Sequence, residues 1–254
     1  MSEYSPLAEL QDSHVIDFEP HCEYYVVGDV HGCLDEYKAL YKLLDMDATR
    51  NGKYLRVIQL GDIIDRGPYF KEMFLEDYAS YRIMGNHEYN FLMEHLGYKE
   101  CRSEARRRNL DLMKSLPEDE QRGILFEITQ RPAYMTLNAY GTQFVFSHAP
   151  IQDIESGIYN VWRQGIGSLP DYCMRSTDVD MDKLRRNIAG SVTFFHGHQS
   201  WSYRTIEDQI AEQRQNMVRL FNVDSRCVYG GHLVAVRLRD NHVISVKSKV
   251  CVDK

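Results

Sequence analysis

Apolar positions along the chain fall into two rhythms. Short unbroken runs, EYYVV at Glu23–Val27 and LRVIQL at Leu55–Leu60, read as strands buried on both faces. Between them, LDEYKALYKLL sets Leu34, Tyr37, Leu40, Tyr41 and Leu44 at helical spacing. A helical stretch from about Phe70 to Tyr78 leads into a third run, YRIM. Each run is followed at once by a polar cluster: GDVHG, GDIIDRGP and GNHE. Strand, polar loop and helix, three times over, predict βαβ units and a parallel sheet. In such sheets ligands collect beyond the carboxyl ends of the strands, so the three loops are expected to converge.

Tyr89 to Phe126 reads as helical, broken near Pro117, and its basic run EARRRN is best explained as a solvated helix face. From Tyr134 the pattern turns to strands, with a hairpin bending at Ala139–Thr142. An irregular stretch beyond Trp162, to about Asn187, reads as a surface excursion. SVTFFHGHQ is a further strand ending in histidines, and NVDSRCVYGGHLVAVRL and HVISVKSKV close the chain. Residues 1–22 are mixed and polar and read as an N-terminal extension, leaving 23–254 as one catalytic domain without repeats or linkers.

Composition narrows the function classes. The formal net charge is −7, which excludes a general electrostatic footprint for nucleic acid or membrane. An anionic substrate then needs locally placed cations. The six cysteines are scattered, with no CxxC pair and no zinc-site spacing. No stretch approaches the ~20 apolar residues of a membrane span, and nothing resembles a signal peptide. A soluble, cytoplasmic protein with reduced thiols is expected; its oligomeric state is left open.

The candidate chemistry lies at the strand ends. Asp29 and His31 follow the first strand two positions apart, which puts both on one side if the chain is extended there. Asp62 follows the second strand and Asn86 the third; His148 and His198 follow QFVFS and TFFHG. Six hard or borderline N/O donors suit divalent first-row metals, and a carboxylate such as Asp62 can bridge two ions. Two-metal hydrolases hold such ions roughly 3.5–4 Å apart. Each motif alone could be a polar turn, but GDVHG, GDIIDRG, GNHE, SHAP and HGHQ in this order are collectively specific.

On these motifs, from about Tyr24 to Ala235, the chain resembles the phosphoprotein phosphatase branch of the calcineurin-like metallophosphoesterases. The resemblance implies an α/β fold: a central β-sandwich of two mixed sheets flanked by helices, with a dinuclear metal site at the carboxyl ends of the strands. It implies two divalent ions, Mn²⁺ first with Fe or Zn as alternatives, and hydrolysis by water activated between them. Asp29 and His31 would bind the first ion, Asp62 would bridge, and Asn86, His148 and His198 would bind the second. His87 would be the general acid with Asp65 behind it, and Arg66 and Arg163 would clamp phosphate oxygens. His196 is a candidate to support the ligands, and Arg226 stands where the family has glycine.

The expected activity is phosphomonoester hydrolysis, as a Ser/Thr protein phosphatase acting on phosphorylated proteins or small phosphoesters. Asp65 and Glu88 favour it over a diadenosine tetraphosphate hydrolase or RNA-cap pyrophosphatase, whose bacterial members tend to lose the aspartate and read GNHD. Cys33, directly after GDVHG, is shared with those hydrolases and keeps that alternative open. A non-catalytic module is disfavoured by the full donor set.

Overall fold

Two five-stranded mixed sheets face each other in the computed structural model, which describes residues 13–76, 78–151, 175, 179–188, 190–200 and 205–252. In chain order the elements are β1 (Ser13–Ile16), β2 (Cys22–Val27), α1 (Leu34–Arg50), β3 (Tyr54–Gln59), α2 (Glu72–Leu75) and β4 (Tyr81–Arg82). Then come α3 (Asn86–His95), α4 (Glu104–Ser115), α5 (Glu118–Thr129), β5 (Tyr134–Ala139) and β6 (Thr142–Ser147). The last are α6 (Met181–Asn187), β7 (Val192–His196), α7 (Ile206–Gln213), β8 (Val218–Asn222), β9 (His232–Arg237) and β10 (Val243–Lys247). One sheet has the order β10-β9-β2-β3-β4 and the other β1-β5-β6-β7-β8. The α/β sandwich expected from the sequence is therefore present.

Strand β2 is buried at all six positions because its two faces meet different partners. Tyr24 and Val26 enter the core between the sheets, while Tyr25 and Val27 join the core under the helices. Opposite them, Phe144 and Phe146 of β6 stack against Phe195 of β7, with ring centroids 6.4 and 6.1 Å apart. Phe195 meets Phe221 of β8 at 5.4 Å, so one aromatic ladder crosses three strands. On the outer face, α1 buries Leu34, Tyr37, Leu40, Leu44 and Ala48 against the first sheet, the stripe its spacing predicts.

Some elements depart from the pattern. Residues 13–16, assigned to an extension, form an edge strand paired in parallel with β5. Three of its four side chains are exposed, so no apolar alternation marked it. The third apolar run makes only a two-residue strand, because Met84 N leaves the ladder to donate to Pro132 O at 2.8 Å. The helix expected over 70–78 is one turn, α2. The hairpin turn is as expected: Tyr140 and Gly141 both have positive φ, 52° and 71°, as a two-residue type I′ loop demands. Most of the irregular stretch after Trp162 lies outside the described residues.

The topology fixes where the loops go. β2, β3 and β4 run parallel in one sheet, and β6, β7 and β8 run parallel in the other. Their carboxyl ends lead into the motif loops.

Candidate metal centre at the strand ends

The loops after β2 and β3 are laced together by their own backbones. Val30 N and His31 N both donate to Asp62 O, at 3.1 and 2.8 Å, and Gly67 N returns a bond to His31 O at 2.9 Å. Gly197 lies against Asp29, and a methyl group there would collide with Asp29 Oδ1. His198 N instead donates to both Asp29 oxygens at 3.2 Å, tying a loop of the second sheet to the first.

Asp62 is the geometric centre. Its Oδ2 lies 3.3 Å from His148 Nε2, 3.7 Å from His31 Nε2 and 3.8 Å from His87 Nε2. Two donor triads, His31–Asp62–His87 and Asp62–His148–His198, are each compact enough to hold an ion, and Asp62 belongs to both. Asp29 Oδ2 flanks the first at 3.8 Å from His31 Nε2, and Asn86 Oδ1 flanks the second at 2.9 Å from His148 Nε2. The structure thus brings together all six donors expected from the sequence.

Backbone carbonyls orient the imidazoles. His31 Nδ1 donates to Ile64 O at 3.0 Å and His148 Nδ1 to Leu60 O at 2.8 Å, which turns each Nε2 toward the centre. His196 is buried with Nδ1 against Gly197 O, beside the donor set rather than in it. The Arg66 guanidinium rests on His31 Nε2 and 5.5 Å over the Tyr229 ring. Arg163 lies outside the described residues.

The electrostatics call for positive charge. Burial, reinforced by Asp224, pushes the Asp29 carboxyl well above its ordinary range, and burial lifts Asp224 to about 6. Asp62 stays far below its ordinary range: burial alone would raise it, but His148, His87 and His31 overcome that. Buried carboxylates and imidazoles with no sulfur donor fit a hard or borderline divalent cation. Burial would lower His148, yet Asp62 and Asp29 push it up to about 10, whereas burial holds His198 at about 3.

His148 therefore gives a pH prediction. Its folded pKa lies above the unfolded value of about 6.5, so it stabilises the metal-free fold fully below pH 6.5. That contribution disappears as pH rises through about 10. A metal must displace the same proton. In EDTA the melting temperature should fall between pH 7 and 10, while Mn²⁺ affinity rises and binding releases a proton. Proton release measured in buffers of different ionisation enthalpy checks this; none at pH 8 would refute it.

Behind the donors stand groups the sequence did not reveal. Asp65 Oδ2 accepts from His87 Nδ1 at 2.7 Å and from Arg106 Nε at 2.8 Å, and Asp65 Oδ1 accepts from Asn109 Nδ2 at 2.8 Å. Burial would raise Asp65, but the bond and charge of His87, then Arg106 and Asn109, hold it below its ordinary range. Arg106 and Asn109 belong to the run EARRRN, so that run is no simple solvated face. Arg106 is 7% exposed and Asn109 fully buried, while Arg107 and Arg108 face outward. Their spacing of three on α4 was the available clue.

Glu88 is buried and also engaged with backbone. Its carboxylate accepts from Asp62 N (2.8 Å), Ile63 N (2.9 Å), Ile64 N (3.3 Å) and Gly85 N (3.0 Å). Arg131 Nη1 lies 3.8 Å away. A methyl group at Gly85 would strike Asp62 and Glu88, which explains the glycine. Five site residues have left-handed backbone: His31 (φ 48°), Asp62 (52°), Asp65 (68°), Arg66 (70°) and His198 (67°). Such strain gathers where surroundings force it. Arg226, at φ 64°, likewise occupies a conformation that favours glycine.

Comparison with known proteins agrees with this geometry. A family model described as Calcineurin-like phosphoesterase matches residues 23–235. An asymmetrical bis(5′-nucleosyl)-tetraphosphatase of Halalkalibacterium halodurans is 24% identical over 89% of this chain and 94% of its own. A crystal structure described as a candidate diadenosine tetraphosphatase superposes with a TM-score of 0.60 at 19% identity, covering 94% of this chain and 98% of that one. A serine/threonine phosphatase from Saccharomyces cerevisiae gives 0.54 at 16% identity, over 98% and 87%. The two structural likenesses speak to fold alone.

Proposed function

The chain belongs to the calcineurin-like phosphoesterase family, and from that premise we propose that it hydrolyses a phosphoanhydride of dinucleoside tetraphosphates. The likeness to bis(5′-nucleosyl)-tetraphosphatases along nearly the whole chain carries this reading. It reverses the preference for a Ser/Thr phosphatase drawn from Asp65 and Glu88. Both carboxylates are fully buried, one on His87, Arg106 and Asn109 and the other on backbone amides, so neither reads a substrate.

Asp29 and His31 would hold one divalent ion, Asn86, His148 and His198 a second, and Asp62 both. Mn²⁺ is the proposed metal, with Fe or Zn as alternatives, and a cytoplasmic location belongs to the same reading. Bound ions would supply positive charge for phosphate oxygens and acidify a water. The remaining work falls to side chains. Asp65 fixes the Nδ1 proton of His87, leaving Nε2 to give a proton to the departing oxygen. Arg66, and Arg163 with it, would turn a planar guanidinium to phosphate oxygens. A departing phosphate, with a pKa of about 6, needs this acid less than an alkoxide would.

The test is a side-by-side assay with Mn²⁺ of diadenosine tetraphosphate, a phosphoserine peptide and an aryl phosphate. The expected kcat/KM for the dinucleotide exceeds that for the peptide by on the order of 10², or about 2.7 kcal/mol. Equal rates, or a faster peptide, would restore the phosphoprotein reading.

A further inference from the structure

Tyr229 stands on a loop whose backbone is pinned from two sides. Within the loop, Tyr229 N donates to Arg226 O at 3.0 Å, Gly230 N to Cys227 O at 3.1 Å and Gly231 N to Arg226 O at 2.9 Å. From outside, the end of the chain holds it: Val252 N donates to Val228 O at 3.0 Å, and Tyr229 forms an isolated β-bridge with Cys251. Cys227 and Val228 are buried, and the half-buried Tyr229 packs on the core under the helices. Its ring is therefore a fixed surface. Over that surface lies Arg66, with its guanidinium carbon 5.5 Å from the ring centroid, inside the ~6 Å reach of a cation–π contact. Arg66 comes from a different loop, the one after β3, and its backbone is constrained as well. Its φ is 70°, and the next amide, Gly67 N, donates to His31 O at 2.9 Å.

His31 and Tyr229 thus share one guanidinium. His31 Nδ1 gives its proton to Ile64 O, so Nε2 carries the lone pair that accepts from Arg66 Nη1. An ion held by His31 would require that same lone pair. The two uses are exclusive, whereas the contact with the Tyr229 ring makes no claim on the lone pair. Burial raises the Asp224 carboxyl, on the same loop as Tyr229, and the Arg66 charge opposes that rise, so charge also draws Arg66 to this side. An aromatic face suits a phosphate clamp better than a paired carboxylate does. A carboxylate would take up the N–H fork that has to reach phosphate. A ring meets the guanidinium through its face and leaves the N–H edge open.

We infer that Tyr229 is a positioning residue for phosphate binding, its ring a platform that keeps the Arg66 guanidinium beside the metal centre with the N–H fork free for phosphate oxygens. The inference rests on Arg66 as the phosphate clamp proposed above, and not on which ester or anhydride is cleaved. Tyr229 acts only through Arg66. Its contribution to phosphate affinity must therefore vanish when Arg66 is removed, which a purely structural tyrosine would not show.

A double-mutant cycle with inorganic phosphate as the probe tests this. In calorimetry on the Mn²⁺-loaded protein, Arg66→Ala should weaken phosphate binding at least about tenfold and Tyr229→Leu about fivefold. Tyr229→Phe keeps the ring and should stay within about twofold of the wild type. In the Arg66→Ala background, Tyr229→Leu should change the affinity by less than about twofold. Melting curves and elemental analysis establish that each variant is folded and holds its metal, and Tyr229→Met replaces the leucine variant if leucine lowers the melting temperature. Undiminished affinity in Tyr229→Leu, a phenylalanine variant as weak as leucine, or the same loss with and without Arg66 would overturn the platform. So would an Arg66→Ala variant that binds phosphate normally, or loss of metal from Tyr229→Leu, which would tie Tyr229 to the ligands instead. Coupling on phosphate in a protein that leaves diadenosine tetraphosphate intact would refute the proposed function and keep the platform. Cleavage of the dinucleotide without coupling would do the reverse.

Discussion

Asp62→Asn is expected to lower kcat/KM on every phosphate substrate by about 10³-fold or more, roughly 4 kcal/mol of transition-state stabilisation. The substitution is nearly isosteric, and its carbonyl oxygen can still accept from His87 N, as Asp62 Oδ1 does at 2.9 Å. The fold should survive. What disappears is the negative charge facing three imidazoles at 3.3, 3.7 and 3.8 Å, together with the oxygen shared by both donor triads. An amide has one good donor oxygen, so it cannot serve two ions as a carboxylate can. Elemental analysis should find metal content well below that of the wild type. Full occupancy with lost turnover would assign Asp62 some other role, and unchanged turnover would remove it from the centre.

The second large effect belongs to a residue that touches no substrate. Glu88→Ala should cost about 3–5 kcal/mol of stability, because it leaves four backbone amides without their acceptor, at about 1–3 kcal/mol for each buried one, while Arg131 keeps its pair with Glu127. At this chain length that is a fall in melting temperature of roughly 10 °C. Activity should fall further than stability explains, since the amides released are those of Asp62, Ile63 and Ile64, the backbone that aims the Asp62 carboxylate. Glu88→Gln tests the cause. Its –NH₂ must face an amide donor, so it should still lose about 2 kcal/mol. A fully stable glutamine variant would mean that one acceptor oxygen suffices and the ionised form is irrelevant.

These two residues also show what was legible beforehand. Asp62 could be read because a strand end announces itself: an apolar run stops, a turn follows, and a carboxylate there has few structural uses. The same local logic picked out Asp29, His31, Asn86, His148 and His198 as candidates, which the fold brings together, and predicted the buried stripe of α1. Glu88 could be read as a letter but not as a role. It bonds residues 24 to 26 positions earlier, across two loops whose approach only the folded sheets define. Arg106 and Asn109 were hidden by their neighbours, because three successive arginines look solvated until α4 turns one of them toward Asp65, 41 positions away. Strand β1 was missed for the opposite reason, its side chains being mostly exposed.

The donors come from both halves of the sandwich: Asp29, His31, Asp62 and Asn86 follow strands of one sheet, His148 and His198 strands of the other. An ion held by both sets would act as a crosslink between sheets that otherwise meet through an apolar core and a few hydrogen bonds such as those of His198 N to Asp29 and His148 Nδ1 to Leu60 O. Any partial unfolding that parts the sheets must then release metal, so the free energy of that opening rises with the logarithm of free metal concentration once the site begins to fill. Metal supply would set how cooperatively the molecule unfolds, with the two sheets coming apart together when ions are bound and in separate steps when they are scarce.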